Sequence, residues 1–182
     1  MENFRELIKA RRSMRKFTLE PVSAEDTRLL LRAGLMSPSS KGLHSWEFVV
    51  VEDSETIEAL SRCKAQGAEF LAGAPMAIVV VGNPEVSDVW IEDASVASTM
   101  ILLQAEDLGL GACWAQIRDR KDALGGDAEE NVRRVLGLPV KLRVLSILAV
   151  GHKGMERKPF NEDRLLWDKV HFYSPLIPFE LD

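Results

Sequence analysis

Arg11-Arg12-Ser13-Met14-Arg15-Lys16-Phe17 places four cations in six consecutive positions, with a hydroxyl among them, in a chain whose net charge is −5. Like charges crowded together repel, so such a cluster suits a place where an anion sits. Arginine offers forked donors matched to phosphate oxygens, and serine adds a short neutral hydrogen bond. Each charge-assisted bond would contribute roughly 1.5–3 kcal/mol. Taken alone, the run fits equally a solvated basic turn after a helix. A nucleic-acid surface fits less well, because the basic residues do not recur as a stripe and the chain is acidic.

A second segment with chemical possibilities runs from Ser37 to Phe48 and includes Pro38, Ser39, Ser40, Gly42 and His44. Small hydroxyl residues and a glycine permit close approach by a flat ligand and offer donors from side chains and backbone. Read alone, the segment fits equally a polar connection between two elements.

The elements that must position these segments follow from periodicity. Phe4, Leu7, Ile8 and Arg11 share a helical face, so a first helix delivers the basic cluster at its C-terminal end. Ser23, with Asp26 three residues on, reads as the N-cap of a second helix that stops near Pro38. Trp46 to Val51 reads as a strand, and Ser54 caps a helix carrying Ile57, Leu60 and Cys63. The unbroken apolar run Met76 to Val81 suits a central strand covered on both faces. A long helix spans about Val89 to Leu108, with small residues along one side that would let another helix pack closely. Gly111 to Ile117 reads as a third strand, and Glu129 to Leu136 as a helix closed by Gly137. Leu142 to Val150, ended by Gly151, reads as a fourth strand. Alternating helices and strands indicate a layered α/β or α+β sandwich.

Composition sets the outer bounds. The 182 residues suit one domain, spanning 1–169, followed by an extension at 170–182. That extension is apolar yet interrupted by Pro175 and Pro178, so it needs a surface to lie on, either a partner subunit or the chain's own core. With 46% hydrophobic and 28% charged residues, the balance is that of an ordinary globular protein. No segment is apolar enough to span a bilayer, and the charged N-terminus does not read as a signal peptide. Cys63 and Cys113 are far apart and form no metal-ligand or CxxC spacing, so a metal-free chain in a reducing cytoplasm fits best.

Together the two segments resemble the nitroreductase family of FMN-dependent oxidoreductases. RRSxRxF at Arg11 to Phe17, followed by PSSxxxxxWxF at Pro38 to Phe48, is similar to the family's N-terminal signature. The likeness continues through Gly73-Ala74-Pro75, Ile91-Glu92-Asp93-Ala94, Leu108 to Trp114, Leu136-Gly137-Leu138-Pro139, Gly151-His152 and Lys158-Pro159.

The resemblance implies an α+β three-layer sandwich with a mostly antiparallel central sheet, intertwined as a homodimer with FMN at the subunit interface. It implies that Arg11, Arg12, Ser13 and Arg15 hold the phosphate and ribityl end. Pro38, Ser39, Ser40 and Gly42 would line the ring from the other subunit. Trp114, Ala115 and Gln116 would supply backbone contacts near the ring. Lys158 would add a cation for the phosphate, with Arg157 and Arg164 as competitors. The implied reaction is ping-pong transfer of hydride from NADH or NADPH to a small planar acceptor such as a nitroaromatic, quinone or enone. The alternatives are a non-catalytic flavin- or nucleotide-binding module and a reductive dehalogenase-type relative on the same fold. Between Gly82 and Val89 there is little room for a lid.

The chain departs from the family pattern PSSxNxQPW by placing Gly42, His44 and Ser45 where Asn, Gln and Pro are usual. Gly42 removes an amide side chain and opens the pocket, leaving its backbone N–H as a substitute donor. His44 is either a proton donor beside the ring or a surface histidine.

Overall fold

Every residue of Met76–Gly82 is buried, and this strand lies inside a four-stranded sheet. The structure is a computed structural model that describes residues 3–172. The strands are β1 (Trp46–Val51), β2 (Met76–Gly82), β3 (Leu110–Gln116) and β4 (Arg143–His152). They run in the order β1-β2-β4-β3, with each neighbouring pair antiparallel. A register shift lies between Val80 and Val81.

Five α-helices among the described residues complete the layers: α1 (Phe4–Ala10), α2 (Ala24–Leu35), α3 (Ser54–Ser61), α4 (Trp90–Asp107) and α5 (Ala128–Leu136). Ala77, Val79 and Val81 of β2 face one way, into a core with Ile57 and Leu60 of α3 and Val132 of α5. Met76, Ile78 and Val80 face the other way, against Leu30 of α2 and Ala94, Ala97 and Ile101 of α4. Helices on both faces thus explain why the β2 run is apolar without alternation, in a sheet that is nonetheless antiparallel. Full burial of each such aliphatic side chain contributes on the order of 1.5–3 kcal/mol.

Local signals account for most boundaries. Ser23 Oγ accepts the Asp26 N–H at 3.0 Å and its hydroxyl donates to Asp26 Oδ2 at 2.8 Å, which opens α2. The cap of α3 is Asp53 rather than Ser54, since Asp53 Oδ2 accepts the Thr56 N–H at 2.8 Å. Gly137 closes α5 in the left-handed region, φ 64°. Gly151 does not end β4, which runs on to His152; a Cβ there would sit 2.5 Å from Pro75 Cδ, so the position requires glycine for packing. The small-residue side of α4 packs mainly on the sheet, and α2 approaches it through Gly34, where a Cβ would lie 2.9 Å from Ile101 Cδ1.

No helix among the described residues is long and apolar enough to cross a membrane. Apart from residues 170–172, the C-terminal extension lies outside the described residues.

Candidate functional site

The basic run is not a free turn. After α1 the chain becomes extended and adds to the outer edge of β3: Ser13 bridges Ala112 in parallel, and the Met14 N–H donates to Ala112 O at 2.9 Å. Extended backbone turns successive side chains to opposite sides. Met14 is therefore buried, while Ser13 and Arg15 line a cleft that Met14 does not touch. The far end is pinned to the end of β4, where Thr18 N–H donates to His152 O at 3.0 Å and Gly154 N–H to Lys16 O at 2.9 Å. A Cβ at Gly154 would stand 2.8 Å from the Phe17 backbone, so only glycine allows this approach.

The cleft encloses about 750 Å³. Arg5, Lys9, Arg11, Arg12, Arg15 and Arg157 line it together with Ser13, and Glu162 is its single carboxylate. Glu162 is already engaged by Lys9 Nζ at 3.0 Å, which holds the lysine's pKa above its ordinary value. Arg12 Nη1 donates to Lys158 O at 3.2 Å. Arg15 lies over the Phe70 ring at 5.8 Å. Among the described residues, Arg11, Arg15 and Arg157 have no carboxylate partner. Such a concentration of unneutralised guanidinium groups around a hydroxyl is chemistry suited to an anion.

Cys113 is buried beside the basic run: its thiol donates to Trp114 O at 3.8 Å, and it feels the charges of Arg15, Arg11 and Arg157. Burial pushes this thiol upward, opposed first by the Arg15 charge. Both cysteines are buried free thiols, and burial raises Cys63 to about 11.

Arg157 lines the cleft, while Lys158 does not: Lys158 contributes its carbonyl to Arg12 and its exposed ammonium lies outside. Arg164 does not line the cleft either. Arg5, Lys9 and Phe160 also line the cleft, beyond the basic run itself. The signal for Arg5 and Lys9 was present as a helical stripe, since residues 5, 8, 9 and 12 recur at helical spacing; Phe160 carried no such local signal.

The second segment forms a tight 3-10 turn, Ser40–Gly42. Lys41 (φ 52°), Gly42 (φ 66°) and His44 (φ 47°) are all left-handed. Gly42 faces open space, with nothing within 4 Å of where a Cβ would stand, but its N–H is spent on Ser39 O at 3.1 Å. The expected substitute donor is thus taken, and what Gly42 supplies is room. Ser39 Oγ accepts the His44 N–H at 3.1 Å, and Ser40 N–H donates to Asp93 Oδ1 at 2.8 Å. His44 is exposed, its ring 5.3 Å from that of Trp46. Pro38 is exposed as well. Around this turn, Ser37 Oγ, Ser45 Oγ and Trp46 Nε1 are buried without a hydrogen-bond partner among the described residues. Buried orphans of this kind gather where water, a ligand or another chain completes a structure.

On β3, Ala115 turns its side chain into the core. Trp114 Nε1 donates to Gln116 Oε1 at 2.9 Å, and Lys64 Nζ donates to Gln116 O at 2.8 Å. Burial lowers the Lys64 pKa. Ala112 and Gln116 both turn their carbonyls to the outer edge of β3, so ladder alternation turns the Trp114 backbone the same way.

The cleft and the turn occupy opposite corners of the sheet. Ala112 pairs across to Val150 and through it to Met76, next to the Ala77–Val51 pair, whereas Trp46 pairs to Gly82 at the other end of β2. Three strand spacings across and six residues along place the corners roughly 25 Å apart.

This fold and this cluster of cations suit a protein that binds a phosphate-bearing ligand, and comparison with known proteins shows the family. The description "Nitroreductase family" matches residues 8–68 and 62–152, and the chain belongs to that family. A solved FMN-dependent nitroreductase from Clostridium difficile R20291 is 44% identical, with a TM-score of 0.90, covering 92% of this chain and 98% of that one. A relative from Archaeoglobus fulgidus, provisionally named NADH dehydrogenase/NAD(P)H nitroreductase, is 32% identical over 94% of this chain and 98% of its own length. A nitroreductase-type structure from Desulfovibrio desulfuricans, solved in complex with FMN, is 26% identical with a TM-score of 0.75, covering 99% and 100% of the two chains.

Proposed function

We propose that this chain is an FMN-dependent oxidoreductase that takes hydride from NADH or NADPH and delivers it to an electron-poor planar acceptor. The observation that carries the reading is the cleft in which Arg11, Ser13, Arg15 and Arg157 converge. Its lining carboxylate, Glu162, is paired with Lys9, and no carboxylate among the described residues pairs with those arginines. This donor set fits the dianionic phosphate and ribityl hydroxyls of FMN, and the names of the solved relatives point the same way.

FMN, when bound, supplies the capacity to accept and return a hydride. The protein's own part is to bind and orient. Arg11, Arg15 and Arg157 hold the phosphate, with Ser13 as a neutral donor between them. Arg12 braces this wall through its bond to Lys158 O. The Trp114 backbone presents an N–H along the β3 edge, where a donor stabilises negative charge on a ring oxygen or nitrogen. Pro38, Ser39 and Ser40 cover the ring, and the space beside Gly42 admits a flat substrate. One pocket then serves nicotinamide and acceptor in turn, which is a ping-pong route. Nitroaromatics, quinones and enones share the required flat, electron-poor form.

The separation of cleft and turn within one chain supports a homodimer, in which each ring meets the Pro38–Ser40 turn of a second copy. Exposed apolar side chains at Ile8, Leu35, Met36, Leu43, Val96 and Met100 supply surface for such a contact. Buried free thiols and the absence of a membrane-crossing helix among the described residues suit a cytoplasmic setting.

The test is a visible spectrum of the purified protein before and after anaerobic addition of NADH or NADPH. The expected result is a flavin band that bleaches and returns when a quinone is added. A colourless protein that takes up no FMN overturns the reading, and a yellow one that neither nucleotide bleaches is a binding module instead.

A further inference from the structure

We propose that Asp93 is a positioning residue, whose buried carboxylate fixes the Ser39–Ser40 turn in the attitude that meets the flavin ring. The proposal rests on the FMN reading above and assigns a role to a residue outside the cleft.

Asp93 lies in the first turn of α4 and is only 5% exposed. Its Oδ1 accepts the Ser40 N–H at 2.8 Å, and Ser87 Oγ lies 3.4 Å from Oδ2. No cation forms an ion pair with it among the described residues. A buried carboxylate without a counter-ion is unfavourable unless hydrogen bonds and a local dipole compensate. Here the positive end of an 18-residue helix and the Ser40 N–H do so. The helix itself is immobile, since Ala94, Ala97 and Ile101 are fully buried against the sheet.

The turn needs such an anchor. From Ser39 to His44 the other hydrogen bonds close on the turn itself: Gly42 N–H to Ser39 O, Leu43 N–H to Ser40 O and His44 N–H to Ser39 Oγ. Among the described residues, the Asp93 bond is the one that leaves it for the framework. Lys41 and His44 hold left-handed backbones without being glycine, a conformation that persists only where the surroundings over-determine it. Released from Asp93, Ser39 and Ser40 lose their fixed distance from the sheet, and the ring loses its cover.

Two pairs of variants test this by FMN titration, following flavin fluorescence and the fine structure of the bound absorption band. Asp93→Ala removes the acceptor, whereas Asp93→Asn keeps an oxygen for Ser40. Ser40→Pro removes the N–H and leaves Asp93 intact, with Ser40→Ala as its reference for the lost hydroxyl. Ser39, at φ −139° and ψ 155°, already has the backbone that precedes a proline, and Ser40 opens the short helix where proline is accepted. Loss of the bond to Ser40 predicts roughly two- to tenfold weaker FMN binding for Asp93→Ala against Asp93→Asn, whose retained oxygen is neutral, and about tenfold for Ser40→Pro against Ser40→Ala, where the carboxylate loses its N–H. The bound band then loses its fine structure. Riboflavin, which lacks the phosphate, weakens by the same factor, whereas an Arg15→Ala change acts on FMN alone.

Equal affinities and spectra within each pair overturn the proposal while leaving the FMN reading in place. A wild-type protein that takes up no FMN overturns both. Should Asp93→Ala fail to fold, the Ser40 pair decides by itself.

Discussion

Gly111 lies directly against Met14: a Cβ on Gly111 would sit 2.6 Å from Met14 Cγ and 2.8 Å from its Cβ. This contact lets the basic segment settle onto the edge of β3, with Met14 buried and its neighbours Ser13 and Arg15 turned to the cleft. The shape of the cleft therefore depends on a glycine that does not line it.

Gly111→Ala is expected to push Met14 out of place and the neighbouring Ser13 and Arg15 with it. Overpacking of this kind costs about 1–3 kcal/mol. For a chain of this size that lowers Tm by roughly 2–4 °C per kcal/mol. Calorimetry and FMN titration together check it: both stability and affinity fall, and an unchanged FMN affinity would separate the glycine from the site.

Arg157→Ala should weaken FMN binding by about tenfold or more, through loss of a charge-assisted contact of roughly 1.5–3 kcal/mol. Lys158→Ala should change it little, because Arg12 uses the Lys158 backbone carbonyl and not its ammonium. Equilibrium dialysis of the two variants at several salt concentrations distinguishes them. The reverse order of effects would return the phosphate role to Lys158.

Glu129 and Arg143 form a two-pronged pair at 2.8 and 2.9 Å, but they are unequally buried. Glu129 is 2% exposed and also accepts the Val144 N–H at 3.1 Å, whereas the Arg143 side chain is 44% exposed. Removing the arginine strands a buried carboxylate, so Arg143→Ala should destabilise by about 3 kcal/mol. Glu129→Gln leaves a guanidinium that water can reach and keeps a hydrogen-bonding amide, so about 1–2 kcal/mol is expected. Urea unfolding of both variants reads the order directly.

Asp122 accepts hydrogen bonds from Asn131 Nδ2, Gly126 N–H and Leu124 N–H at 2.8, 2.8 and 2.9 Å, and these hold its carboxyl below the usual range. A carboxyl depressed in the folded state contributes stability above its unfolded pKa of about 3.9, and loses it as pH falls through the folded value. Asp122→Ala should therefore lower Tm clearly at pH 7 and less at pH 3. A gap that stays constant across that range would show that the charge is not what matters.

The sequence by itself determined the pieces whose code is local. The capping pair Ser23 and Asp26, the strand Trp46–Val51, the apolar run of β2 and the left-handed stop at Gly137 each depend on residues within one element, and each forms where periodicity places it. The basic run and the Pro38–Ser40 segment were legible as ligand chemistry for the same reason, since their residue types are concentrated in short stretches. The choice of Arg157 over Lys158, the seating of Met14 on Gly111 and the bond from Ser40 to Asp93 join positions far apart in the chain. Strand order and register bring those positions together, and a one-residue change of register would reverse which side chains face the cleft. Only the tertiary structure could decide them, because hydrogen bonds and steric limits act through space and carry no signature in local spacing.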